Sequence, residues 1–195
     1  MWYEMYIINI SIMKVEKMNN DLISLFDIPK IKVSVDTFWF FKHCMKDNYF
    51  NAHIMIRMLA IDCYYGKNDY GWDWYNKMQL TRVADNPLIP KRMAKHEKEV
   101  KKLIKSFEEN GFIEEYPLVV NKEMLFIDGA HRLALALYFG IERVTITVDK
   151  DYYFIDSRDF SFDWFEKKQM GYMKTEALRK YNEICEFYGG KQNEL

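Results

Sequence analysis

The sequence predicts an α+β protein, a small mixed sheet with helices on one face, flanked by N- and C-terminal helical segments. Three observations lead there. Between about residues 78 and 150, strand-like and helix-like patterns succeed one another in the order strand, helix, hairpin, helix, strand. Residues 1–77 are instead rich in Phe, Trp, Tyr and Met, with helical spacing of the apolar positions. Residues 151–195 turn helical again, so the chain divides into an aromatic N-terminal region packed on the core (1–77), the core (78–150) and a C-terminal extension (151–195). A chain of 195 residues, 49% hydrophobic and with only four prolines, can bury such a core without disulfides or metal.

In the N-terminal region, "VDTFWFFKHCMKD" and "FNAHIMIRMLAIDCYYG" read as two helices. The second places Ile54, Met58, Ile61 and Tyr65 at steps of three and four, and Gly66 stands where a left-handed cap belongs. "KNDYGWDWYN" reads as a polar and aromatic loop, and "KMQLTRV" as a short strand. In the core, "AKHEKEVKKLIKSFEENGF" carries Val100, Leu103, Ile104 and Phe107 on one stripe, with Gly111 closing the helix and Phe112 folding back on it. "YPLVV" and "MLFID" flank "NKE" as a hairpin. "GAHRLALALYFG" is a short helix ending at Gly140, and "RVTITV" is a strand that alternates Val144, Ile146 and Val148 with polar neighbours. In the extension, "TEALRKYNEICEFYGG" puts Ala177, Leu178, Tyr181, Ile184, Cys185 and Tyr188 on one face and ends in a glycine pair. That face packs on the core or on a second subunit, so the helical flanks are the expected homodimer surface.

Charge and cysteine usage narrow the class. A formal net charge of −1 offers no general attraction to nucleic acid or to an anionic membrane. No apolar run approaches the ~20 residues needed to span a bilayer, and the N-terminal "MWYEMYIINISIM" has Glu4 in place of a signal's basic region, so it reads as an ordinary strand or helix. Cys44, Cys63 and Cys185 are far apart and odd in number, as expected of reduced thiols in a cytoplasmic protein. His43, His53 and His96 show no metal-ligand spacing, and no metal site is expected from them.

The chemistry concentrates in "LFIDGAHRL". Asp128 is a good N-cap residue, and its carboxylate is the first candidate for a general base or a Mg²⁺ contact. Gly129 permits a sharp turn and a close approach to the backbone. The opening N–H groups of the following helix carry partial positive charge and attract anions. Arg132 adds a planar fork of donors suited to phosphate, and His131 can donate or accept. Gly129, Ala130, His131 and Arg132 therefore form a candidate phosphate cradle, against which stands the plainer reading of a capped turn with Arg132 on a surface carboxylate. Lys91 and Arg92, placed just before the amphipathic helix, are further ligand candidates, whereas Lys98, Lys101, Lys102 and Lys105 read as its solvated face. Asn68, Asp69, Lys77 and Arg82 are candidate substrate-reading groups in the 66–82 stretch.

The parts "KKLIKSFEENGF", "PLVVNKEMLFIDGAHRLALALYFGI" and "RVTITV" together resemble the ParB/sulfiredoxin-like superfamily, over roughly residues 78–150. Ala130 stands where sulfiredoxins have a cysteine, and the segment after the core has no recognition-helix pattern, which disfavours a DNA partner. The turn looks nearest to that of the free-serine kinases. That resemblance implies binding of nucleotide phosphates by Gly129, Ala130, His131 and Arg132, with ATP or ADP and Mg²⁺, and phosphoryl transfer to a small hydroxyl-bearing metabolite. The catalytic Glu of that branch has no counterpart at the matching place in "NPLIPKRMAKHE"; the nearest acids are Asp85 and Glu97, which join Asp128 as candidates. The alternatives are a non-catalytic nucleotide-sensing or scaffold module and, more weakly, a ParB-like nuclease or DNA-binding protein.

Overall fold

The computed structural model describes residues 30–45, 51–82, 89–122, 124–149 and 161–192. It opens with β1 (Lys30–Asp36), in which Ile31, Val33 and Val35 alternate with Lys32 and Ser34. Asp36 then caps α1 (Thr37–Cys44) by accepting from the Trp39 N–H at 2.6 Å, and Phe40, Phe41 and Cys44 face the core. α2 (His53–Tyr64) is buried from His53 to Asp62, and Gly66 follows it at φ +71°. The expected N-terminal helices are thus present, and β1 before them is an element the sequence reading did not assign.

The expected loop and strand between residues 67 and 83 are instead a helix, α3 (Gly71–Arg82). Asn68 starts it by accepting from the Gly71 N–H at 2.8 Å. Its buried positions, Gly71, Tyr75 and Met78, recur at helical steps against α2, which overrides the strand-like look of "KMQLTRV". α4 (Ile89–Asn110) begins earlier than the apolar stripe suggested, with Pro90 in its first turn, so Lys91 and Arg92 lie inside the helix and not before it. Its far end is as expected: Gly111 sits at φ +66°, and the Phe112 ring lies 6.2 Å from that of Phe107.

The hairpin forms from β2 (Leu118–Asn121) and β3 (Phe126–Asp128), with Asn121 accepting from the Leu125 N–H inside the turn. α5 (Ala130–Tyr138) and β4 (Arg143–Asp149) follow as expected. The sheet is mixed, in the order β1-β4-β2-β3: β4 runs parallel to β2 and antiparallel to β1, which it pairs along its whole length. The strand expected at 77–83 is therefore supplied by residues 30–36. The order strand, helix, hairpin, helix, strand survives, with α1, α2 and α3 inserted after the first strand.

Leu118, Val120, Val144 and Ile146 carry the sheet into one core shared with Phe40, Ile54, Leu59, Ile104 and Leu135. α6 (Phe162–Lys167) and α7 (Gly171–Gln192) complete the described residues. α7 buries Ala177, Ile184 and Tyr188 within this chain and continues through Gly189 and Gly190 instead of ending there, because helix hydrogen bonding tolerates glycine at about 1 kcal/mol each. No described helix is long and apolar enough to cross a membrane.

Candidate functional site

β3 delivers the chain to Gly129, which sits at φ +103° and itself occupies the N-cap of α5 without a side-chain cap. Asp128 is thus one residue too early to be the cap expected of it. Its carboxylate, 73% exposed, instead accepts from Arg132 Nη2 at 3.0 Å. The glycine is demanded from inside the protein and not by an approaching ligand. A Cβ there would stand 2.6 Å from Leu118 Cδ2 and 3.3 Å from Arg132 Nη2. Gly129→Ala combines a left-handed backbone, costing ~1–2 kcal/mol, with displacement of a core leucine, ~1–3 kcal/mol. The expected loss is about 2–5 kcal/mol in denaturant unfolding; a wild-type midpoint would remove both arguments.

The Arg132 side chain is 19% exposed. Its Nη1 donates to the carbonyl oxygens of Tyr116 at 2.5 Å and Pro117 at 2.6 Å, so the guanidinium straps the entry of β2 to the β3–α5 turn. Its Nε–H and one Nη2–H are left over for a ligand. Arg132 stays beside Gly129, as the turn implied, but part of its capacity is spent on the protein.

His131, on the first turn of α5, shares a 2.8 Å hydrogen bond between its Nε2 and the hydroxyl of Tyr75 in α3. Gln79 Nε2 donates to the same hydroxyl at 3.0 Å. Which of the Tyr75 hydroxyl and His131 Nε2 is the donor in that bond follows from the imidazole tautomer. The His96 ring of α4 lies 6.3 Å from that of His131, so three helices meet at this turn.

The remaining sequence candidates are placed elsewhere or used otherwise. Glu97 is paired with Lys101 Nζ at 2.6 Å. Asn68 is a structural tether: besides capping α3, its Nδ2 donates to the Leu59 carbonyl at 3.0 Å. Asp69 is exposed, and Lys77 packs its ammonium 5.1 Å from the Tyr172 ring. Asp85 lies outside the described residues, as do the side chains of Arg82, Lys91 and Arg92. Among the described residues no group of His, Cys, Asp or Glu is arranged to hold a metal ion. Tyr75, Gln79 and, behind them, Arg57 were not singled out from sequence. The only available signal was Arg57 itself, a lone full charge in the middle of the apolar run "HIMIRMLA".

No family model, curated protein or solved structure matches the chain.

Proposed function

We propose that this chain is a nucleotide-binding protein of ParB/sulfiredoxin-like build, which holds ATP or ADP by its phosphates at the β3–α5 turn and passes a phosphoryl group to a small hydroxyl-bearing metabolite. One observation carries the reading: His131 and Arg132 stand side by side on a first helical turn, next to the exposed carboxylate of Asp128. The first hydrogen bond closed by α5 runs from the Leu133 N–H to the Gly129 carbonyl, so the amides of Ala130, His131 and Arg132 precede it and can donate to phosphate oxygens.

Phosphoryl transfer asks for positioning and charge neutralisation more than for covalent help. In the proposed step Asp128 accepts the proton of the acceptor hydroxyl while that oxygen forms its bond to the terminal phosphorus. The bond from phosphorus to the bridging oxygen breaks, and the nucleotide leaves with that electron pair, its charge held by Arg132 and the helix end. Mg²⁺ characteristically binds through one carboxylate and ligand phosphates, a donor set that Asp128 fits.

A second reading, a non-catalytic nucleotide sensor, is favoured by the bonds of Arg132 itself. A phosphate that draws the guanidinium away from Asp128 also pulls on the Tyr116–Pro117 segment, which would convert binding into a change of shape. The two readings separate at Asp128. Titration calorimetry with ATP, ADP and CTP is expected to show binding that Arg132→Ala weakens by about 30-fold or more. Asp128→Asn, which removes the competing carboxylate charge, keeps or tightens binding. In a Mg²⁺-supplemented screen of polyols, sugars and hydroxy amino acids, the same variant loses about 10²–10⁴-fold of product formation if Asp128 is the base. Wild-type binding without turnover on any acceptor leaves the sensor; equal nucleotide affinity in wild type and Arg132→Ala removes the cradle altogether.

A further inference from the structure

Every residue of α2 from His53 to Asp62 is buried, and in that setting a charge needs a partner. Asp62 has one in Lys180 of α7, at 2.5 Å. Arg57 has none among the described residues, although it is only 5% exposed. Its Nη1 donates to the His53 carbonyl one turn back at 2.9 Å, while its Nε–H meets no acceptor. Burial pulls the guanidinium below its ordinary pKa, and the neighbouring Tyr75 offsets this only in part. Removing a cation from water without a counter-anion is among the more costly arrangements a fold can hold.

Arg57 also connects, through Tyr75, to the helix end already described. Its guanidinium carbon lies 5.9 Å from the centre of the Tyr75 ring, and the hydroxyl of that ring is bonded to His131 and Gln79. Arg132 differs, since Asp128 already balances its charge. A buried guanidinium, a primary amide, a hydrogen-bonded phenol–imidazole pair and the opening amides of α5 are brought to one place from α2, α3 and α5. Such a set suits a tetrahedral oxyanion that accepts from several directions.

We infer that Arg57, Tyr75, Gln79 and His131 line a subsite on the inner side of the α5 N-terminus that takes a phosphoryl oxyanion, either inorganic phosphate or the phosphate group of a larger ligand. The inference rests on reading that helix end as a phosphate site, and it adds the buried counter-charge that the turn lacks.

The test uses the full chain, melted in phosphate and in chloride at matched ionic strength, and titrated with inorganic phosphate, ADP and ATP. Phosphate is expected to raise the melting temperature of the wild type. Arg57→Met is expected to abolish that rise and to weaken inorganic phosphate by about tenfold or more, without lowering the melting temperature in chloride. If Arg57→Met does not fold, Tyr75→Phe keeps the ring beside the guanidinium and removes the hydroxyl. It should then lose phosphate affinity while its melting temperature in chloride stays near that of the wild type. No phosphate effect in the wild type overturns the subsite, as does an equal effect in wild type and Arg57→Met, or unchanged affinity in Tyr75→Phe. Nucleotide binding that needs Arg132 and ignores Arg57→Met would overturn the subsite and keep the proposed function. Phosphate binding that needs Arg57, without nucleotide affinity, would do the reverse.

Discussion

Replacing Gly71 with alanine is expected to destabilise the fold by about 3 kcal/mol or more, at or beyond the upper end of ordinary overpacking. The added Cβ would stand 2.1 Å from the Leu59 carbonyl oxygen, 2.6 Å from its carbon and 2.9 Å from Cys63 Cβ. The first two obstacles are backbone of α2, which is buried and has nowhere to recede. α3 cannot easily withdraw either. Asn68 bonds both the Gly71 N–H and that same Leu59 carbonyl, so the junction is pinned from both sides. A retreat of α3 would also draw Tyr75 and Met78 out of the core and Tyr75 away from His131, so residual folded protein should bind phosphate more weakly. Gly190→Ala serves as the control: a Cβ there meets nothing within 4 Å in a helical position, and stability should rise by up to about 1 kcal/mol. Urea unfolding of the two variants decides the matter, and a wild-type midpoint for Gly71→Ala would mean that α2 and α3 are not in such close contact.

Lys180→Met is the second large effect, an expected loss of about 3–5 kcal/mol. Lys180 Nζ bonds Asp62 Oδ2 at 2.5 Å and Glu183 Oε2 at 2.9 Å, tying α7 to α2 through a buried pair. Methionine preserves much of the stem but leaves Lys67, an exposed lysine 3.7 Å away, as the remaining cation beside Asp62. The double variant Asp62→Leu/Lys180→Met should regain most of the loss, because it removes both charges and the cost of burying them. Recovery of that kind separates an unpaired charge from simple loss of packing. Burial pulls the Lys180 ammonium down, but its bonds to Asp62 and Glu183 outweigh this and raise its pKa. That contribution is therefore fully present below the unfolded lysine value of ~10.4 and is lost as pH rises through the higher folded value. Wild-type stability should fall there more steeply than that of the double variant.

Elements whose evidence is local were legible from the residues. α4 shows its apolar stripe and its glycine stop, β4 its alternation, and α5 its glycine entry, because the residues that form each element also mark its ends. α3 misled because Trp72 and Trp74 interrupt the spacing of Gly71, Tyr75 and Met78. The helix is decided by the Asn68 tether and by the face of α2 on which it lies. β1 went unassigned for a related reason: it is an edge strand whose hydrogen bonds are supplied by β4, far along the chain.

The candidate site divides in the same way. That a glycine turn opens α5 with His131 and Arg132 on its first turn was determined by the sequence alone, since nine consecutive residues carry that arrangement. Which partners those side chains take was decided only by tertiary structure. Tyr116 and Pro117 reach Arg132 through the hairpin, Tyr75 reaches His131 through α3, and Arg57 reaches Tyr75 through the packing of α2. Periodicity and capping depend on neighbours within a few positions, and so can be read along the chain. The charge balance of a buried guanidinium depends on groups from separate elements, and exists only once those elements have packed.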